Sequence, residues 1–317
     1  MNLDEEWREE LEIAFAAAED ELRTLPAEFG ELALKLLGRS NPLLNGGRAN
    51  RISYLLPYWV GENVRAPIEL CRELAIGNLF AMLHFFVLDD AIDGDAGWSS
   101  ADRRRLLPLG QLLHGLFYRK YLGRFPASSP AWDCLGEYMK QWAAAMAREA
   151  DSAADPRDFR ALAGKAAPVK LCAAALLLEA GRPDRLPALD EAVDLTLATL
   201  QLSDDYADWR EDLAEPGGNA FLTLVRELLG EPDGRGLDEK AVSRALYHRG
   251  ALGKLAKLAE DHGAHISSIP ECPPSLLDFQ RSMAEDLRRA ADGIEDEVNR
   301  LLRGDRLSGL LANLSGG

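Results

Sequence analysis

Apolar residues recur at steps of three and four along most of this chain. The opening segment "EEWREELEIAFAAAEDELRTL" sets Leu, Ile, Phe and Ala on one helical face and Glu, Asp and Arg on the other. The same period predicts helices over 66–92, 103–122, 131–150, 158–181, 187–213, 219–230, 238–262 and 274–303. Turn-forming stretches such as "SNPLLNGG", "GRFPASSPAW", "LAEPGGN" and "GEPDGRG" punctuate them. No alternating strand pattern and no internal repeat is visible, so the expected fold is all-α. With no convincing linker, residues 1–317 read as one large helical bundle of about ten helices.

Two of these helices carry an anomaly. "LFAMLHFFVLDDAIDGD" is apolar around its whole circumference and then turns acidic at Asp89, Asp90 and Asp93. "AVDLTLATLQLSDDYADWREDL" repeats the design with Asp204, Asp205, Asp208, Glu211 and Asp212. On a helix, Asp89 and Asp93 share a face, and Asp204, Asp208 and Asp212 form a stripe at i, i+4 and i+8. The C-terminal end of a helix disfavours anions because the backbone dipole is negative there. Two clusters placed against that field predict a compensating cation. One cluster alone would pass for a solvated helix end.

Ligand chemistry narrows the cation. Carboxylates are hard oxygen donors, which suit Mg²⁺, Mn²⁺ or Ca²⁺ rather than zinc or copper, and Mg²⁺ carried in with a phosphate-bearing substrate accounts best for the clusters. The Glu-x-x-His pairs of di-iron bundles are absent from the sequence. An EF-hand reading of "DDAIDGDAGWSS" fails at Ala91 and at Ser100, where a bidentate Glu is needed.

Composition adds limits. The chain carries 36 Lys and Arg against 52 Asp and Glu, a net charge of −16, which disfavours nucleic acid as a partner. Four scattered cysteines fit a reducing cytoplasm. No uninterrupted apolar run reaches the roughly 18 residues of a membrane span, and the acidic start does not resemble a signal peptide. The expectation is a cytoplasmic protein without a stable span.

The two acidic motifs resemble those of the class I isoprenoid synthase superfamily. "DDAID" is similar to the first aspartate-rich motif of that family, and "LQLSDDYADWRED" to the second motif of trans-polyprenyl diphosphate synthases. The latter also resembles elements of squalene and phytoene synthases and, by its spacing, the second metal motif of terpene cyclases. The resemblance implies a bundle with a central hydrophobic cavity in which the two motifs hold several Mg²⁺ ions against an allylic prenyl diphosphate of C10 to C25. The metals draw charge from the departing diphosphate, and an allylic cation forms in a dry cavity. The metal ligands implied are Asp89, Asp90, Asp93, Asp204, Asp205, Asp208 and Asp212, with Asp89, Asp90, Asp93, Asp204 and Asp208 in the catalytic role.

Substrate contacts follow from the same likeness. "NGGRANRISYLLPYW" resembles a diphosphate-binding element, which makes Arg48 and Arg51 candidates, and "KLCAAALLLEAG" makes Lys170 another; Arg160 and Lys165 are weaker ones. Phe85, Phe86 and Tyr206, with Phe80 and Trp209, are aromatic faces for the cation, and ordinary core packing competes for each. Phe85 and His84 stand four and five positions before Asp89, where the resemblance to chain-elongating enzymes implies that bulk closes the cavity floor and disfavours long-chain products. The Arg-Arg-Gly that chain-elongating enzymes carry after the first motif is missing; Arg103, Arg104 and Arg105 come too late and lack the glycine. The expected activity is therefore a terpene synthase-like cyclase. Short-chain elongation and head-to-head condensation are the enzymatic alternatives. An all-helical binding protein, or a relative that has lost catalysis, is the alternative outside enzymes. A homodimer is expected from the family.

Overall fold

The computed structural model describes residues 6–45, 50–93, 98–213, 218–230 and 236–314. All regular structure among them is helical. In chain order the helices are α1 (Arg8–Leu22), α2 (Ala27–Ser40), α3 (Pro42–Asn45), α4 (Arg51–Val64), α5 (Ile68–Asp93), α6 (Ser100–Leu122) and α7 (Ala131–Asp151). Then come α8 (Phe159–Ala163), a 3₁₀ segment (Gly164–Lys170), α9 (Leu171–Glu179), α10 (Leu186–Asp212), α11 (Ala220–Leu229), α12 (Glu239–Arg249), α13 (Ala251–Ser268) and α14 (Pro274–Leu314). The chain divides into two compact units. The first holds Met1–Lys140, Ala166–Asp190 and Glu271–Leu276; the second holds Gln141–Lys165, Glu191–Pro270 and Leu277–Gly317.

In the first unit, α5 packs against α1, α4 and α6. Its segment from Leu79 to His84 is buried without a break, as the all-round apolar pattern requires. Tyr54, Tyr58 and Trp59 of α4 are almost wholly buried. A two-pronged ion pair, Arg72 to Glu10 at 2.8 Å from each nitrogen, ties α5 to α1.

The second unit is built on a core of Ala198, Leu202, Trp209, Phe221, Leu224, Val225, Leu252, Leu255 and Leu287. These come from α10, α11, α13 and α14. Short polar side chains start α11 and α12. Asn219 accepts from the Leu222 N–H at 2.8 Å, and Asp238 from the Ala241 N–H at 2.7 Å.

Against the expectation from uninterrupted runs, two helical stretches, Ile68–Ile92 and Phe159–Glu179, are long and apolar enough to cross a membrane. The difference arises because a helix tolerates a few polar residues within an apolar window. Within those windows 61% and 72% of the residues are buried inside the protein. Their apolar surface meets other helices. The four cysteines are free thiols.

Candidate acidic site

Helix α10 ends in the carboxylate-rich turns that the sequence singles out, and the structure gives the four aspartates different surroundings. Asp205 is buried, 5% exposed. Its Oδ1 accepts from Gln201 Nε2 at 2.7 Å, and its Oδ2 accepts from the Ala220 N–H at 2.6 Å. Ala220 is the first residue of α11, so this carboxylate faces the positive end of a helix. Asn219 completes the junction: its Nδ2 donates to the Asp205 carbonyl at 2.8 Å and to Asp212 Oδ2 at 2.7 Å.

Asp204 and Asp208 point elsewhere. Both side chains are exposed, and among the described residues neither has a hydrogen-bond or ion-pair partner. The Asp204 carboxyl is pushed up to about 7, by lost hydration and then by the charges of Asp208 and Asp205. Because solvent still reaches this side chain, the lost hydration reflects crowding by surrounding protein rather than enclosure, and screening weakens its effect on stability. Asp208 is raised by lost hydration and by Asp212. Burial pushes Asp205 up to about 6, while the Gln201 and Ala220 hydrogen bonds and the Lys165 charge pull it back. A set of carboxyls that resist ionisation beside one another is the electrostatic signature of a place that would accept positive charge.

A cavity of about 210 Å³ lies beside Gln201, lined also by Ala145, Arg148, Glu149, Lys165 and Gly218. Lys165 and Glu149 form an ion pair within it. A Cβ on Gly218 would come within 3.1 Å of Glu149 Cγ, so the Glu149 side chain would have to shift to admit one. Arg160 instead lies 3.6 Å from Glu191 and over the Phe159 ring. Tyr206 packs edge-to-face on Phe221 at 5.4 Å, and Trp209 sits in the core with the Arg210 guanidinium 4.4 Å above its ring.

The first acidic motif belongs to the first unit. Asp89 is exposed, and Asp90 accepts from Trp98 Nε1 at 2.9 Å. The Asp93 backbone ends α5; its side chain lies outside the described residues, as does all of Arg48. Phe85 is half-buried, edge-on to His84 at 4.9 Å, and Phe86 is 38% exposed. His84 Nδ1 lies 2.8 Å from the Gly110 carbonyl, so that nitrogen carries the proton. Arg51 opens α4 and is half-buried. Lys170 is 1% exposed, with its ammonium 4.8 Å above the Tyr138 ring, whose hydroxyl donates to Asp190.

As to metal fit, the donor chemistry suits a hard divalent cation, and Asp204 and Asp208 have oxygens to offer. Among the described residues, no group of three or more His, Cys, Asp or Glu side chains is already drawn together to hold one. Gln201 was legible as part of the second motif. Asn219 was not singled out, although an Asn just before the apolar run "AFLTLV" is the usual sign of a helix start. No protein-family model matches the chain, and no curated protein sequence is significantly similar to it.

Proposed function

We propose that this chain is a Mg²⁺-dependent class I isoprenoid synthase, with a fold of that type enclosing a hydrophobic cavity, which ionises an allylic prenyl diphosphate and releases diphosphate. The observation that carries the reading is the pair Asp204 and Asp208: two carboxyls one helical turn apart, each raised first by lost hydration and then by repulsion from neighbouring carboxylates, and left without hydrogen-bond or ion-pair partners among the described residues. A cation bound by them relieves that repulsion. Asp89, Asp90 and Asp93 would hold the metal at the other motif. Bound Mg²⁺ would supply Lewis-acid stabilisation of the departing diphosphate oxygen. The protein's own part is to place carboxylates on rigid helices and to keep water from the reacting carbon. The buried run from Leu79 to His84 supports an apolar wall before Asp89. Cyclisation is preferred over elongation, because the Arg-Arg-Gly of elongating enzymes is missing.

The test is product analysis with geranyl, farnesyl and geranylgeranyl diphosphates plus Mg²⁺, each with and without isopentenyl diphosphate. Diphosphate release without isopentenyl diphosphate, abolished by Asp89→Ala and by Asp204→Ala, is the expected outcome. A strict requirement for isopentenyl diphosphate reassigns the enzyme to chain elongation. No release from any substrate removes the reading.

A second reading, a helical binding protein without catalysis, has one observation in its favour. Asp205 and Asp212 spend oxygens on bonds inside the fold, and no preassembled ligand group exists among the described residues. It requires that Mg²⁺ with pyrophosphate leave the melting temperature unchanged, since a ligand of the folded state must raise it.

A further inference from the structure

The second acidic motif contains two adjacent aspartates, and sequence alone treats both as metal ligands. The geometry points to a division of labour: Asp204 and Asp208 are the ligand-bearing carboxylates, and Asp205 is a positioning residue that fastens the end of α10 to the start of α11. This inference rests on the proposed function for its metal-dependent half.

The argument is an accounting of oxygens and donors. Asp205 has both oxygens engaged, one by the Gln201 amide and one by the Ala220 N–H, within a site that solvent hardly enters. A cation there would have to displace a backbone hydrogen bond at the first turn of α11 and then share a 5% exposed carboxylate. Asn219 is equally committed. Its two amide protons go to the Asp205 carbonyl and to Asp212 Oδ2, and its Oδ1 takes the Leu222 N–H. Both amide protons and one oxygen lone pair are thus in use, and Asn219 is 5% exposed. Together Gln201, Asp205, Asp212 and Asn219 form one junction at the C-terminal end of α10. Asp204 precedes Asp205 directly and Asp208 follows it by three residues, so the direction of their carboxylates depends on this junction holding α10 helical to its last turn. Supporting groups of this kind tune metal sites without touching the metal.

The test separates a ligand from a support by substitution chemistry. In Asp205→Asn the side-chain oxygen still accepts the Ala220 N–H, and the Gln201 amide flips to accept from the new NH₂ group. The junction survives although the charge is gone. In Asp205→Ala both bonds are lost. The measurement is the Mg²⁺ concentration that gives half of the thermal shift produced with pyrophosphate. Support by Asp205 predicts that Asp205→Ala raises it about 10-fold or more while Asp205→Asn stays close to the parent protein. A direct ligand loses its charge in both variants, so an equal rise in both, with unchanged melting temperature in the absence of Mg²⁺, overturns the inference. A metal-free cycle of Asp205→Ala and Asn219→Ala stands apart from the functional reading. Melting-temperature losses that do not add show one shared junction, and fully additive losses overturn it. If the parent protein shows no shift with Mg²⁺ and pyrophosphate, the functional reading fails, and the metal-free cycle still decides whether the junction exists.

Discussion

Gln280 occupies the place where residue 263 would carry a side chain. It is fully buried in the second unit, and its Nε2 donates to Thr199 Oγ1 at 3.0 Å and to the Ala259 carbonyl at 2.7 Å. The Thr199 hydroxyl gives its own proton to the Leu195 carbonyl at 2.9 Å. Its lone pairs therefore receive Gln280 and His262 Nδ1, the latter at 3.1 Å, which fixes the neutral tautomer of His262. A Cβ on Gly263 would approach Gln280 Oε1 to 2.5 Å. Gly263→Ala is accordingly expected to cost about 1–3 kcal/mol of stability, read as a lower urea midpoint with an unchanged slope. None of this is visible in the sequence. Gly263 there is a glycine inside a helical period, and Gln280 a polar residue far along the chain. The acidic residues contrast with it. Their number and period were legible, and what was not legible is which of them spends its oxygens internally. Asp204 and Asp205 are chemically identical neighbours, told apart only by Ala220 and Gln201.

Among the elements, the long amphipathic and apolar helices were predicted nearly to their ends: α5, α6, α7, α10 and α11 match the periodic stretches within a few residues. Most of the misses follow from Gly and Pro, while α14 runs on to Leu314 beyond the expected end at 303. The helices α2 and α4 were not singled out, because Gly30, Gly38 and Pro57 interrupt their patterns. Packing of Tyr54, Tyr58 and Trp59 outweighs the hydrogen bond that Pro57 cannot make. The expected helix over 158–181 is instead α8, a 3₁₀ segment containing Pro168, and α9. The expected helix over 238–262 is broken into α12 and α13 at Gly250, whose φ of 63° lies in the left-handed region. Nothing lies within 4 Å of a Cβ at that position, so only backbone strain opposes a side chain. Gly250→Ala is expected to destabilise by about 1 kcal/mol, with the helical circular dichroism of the folded state unchanged.

At the scale of the whole molecule, pH dependence sums groups from both units. His84 and His262 are lowered to about 4, each first by burial. Their unfolded forms bind protons more readily, so the stability they contribute is present above about pH 6.5 and is lost as pH falls towards 4. Asp204 and Asp205 run the other way. Their folded pKa values of about 7 and about 6 exceed the ordinary aspartate value of 3.8. Their contribution is fully present below about pH 4 and is lost as pH rises through 6 and 7. Metal-free protein should therefore lose melting temperature between about pH 6 and pH 8, and Asp204→Asn should flatten that fall by removing one of the raised carboxyl titrations. A parent curve as flat as the variant's would show that the Asp204 carboxyl is not destabilised in the fold.

The sequence by itself determined the helical class, the buried run before Asp89 and the two acidic ends, because each is a property of local period and composition. Only the tertiary structure decided that Asp205 is locked to α11, that Lys170 is enclosed over Tyr138, and that Gly263 makes room for Gln280. Those outcomes depend on which donor reaches which oxygen across elements far apart in the chain, and no pattern of neighbouring residues carries that information.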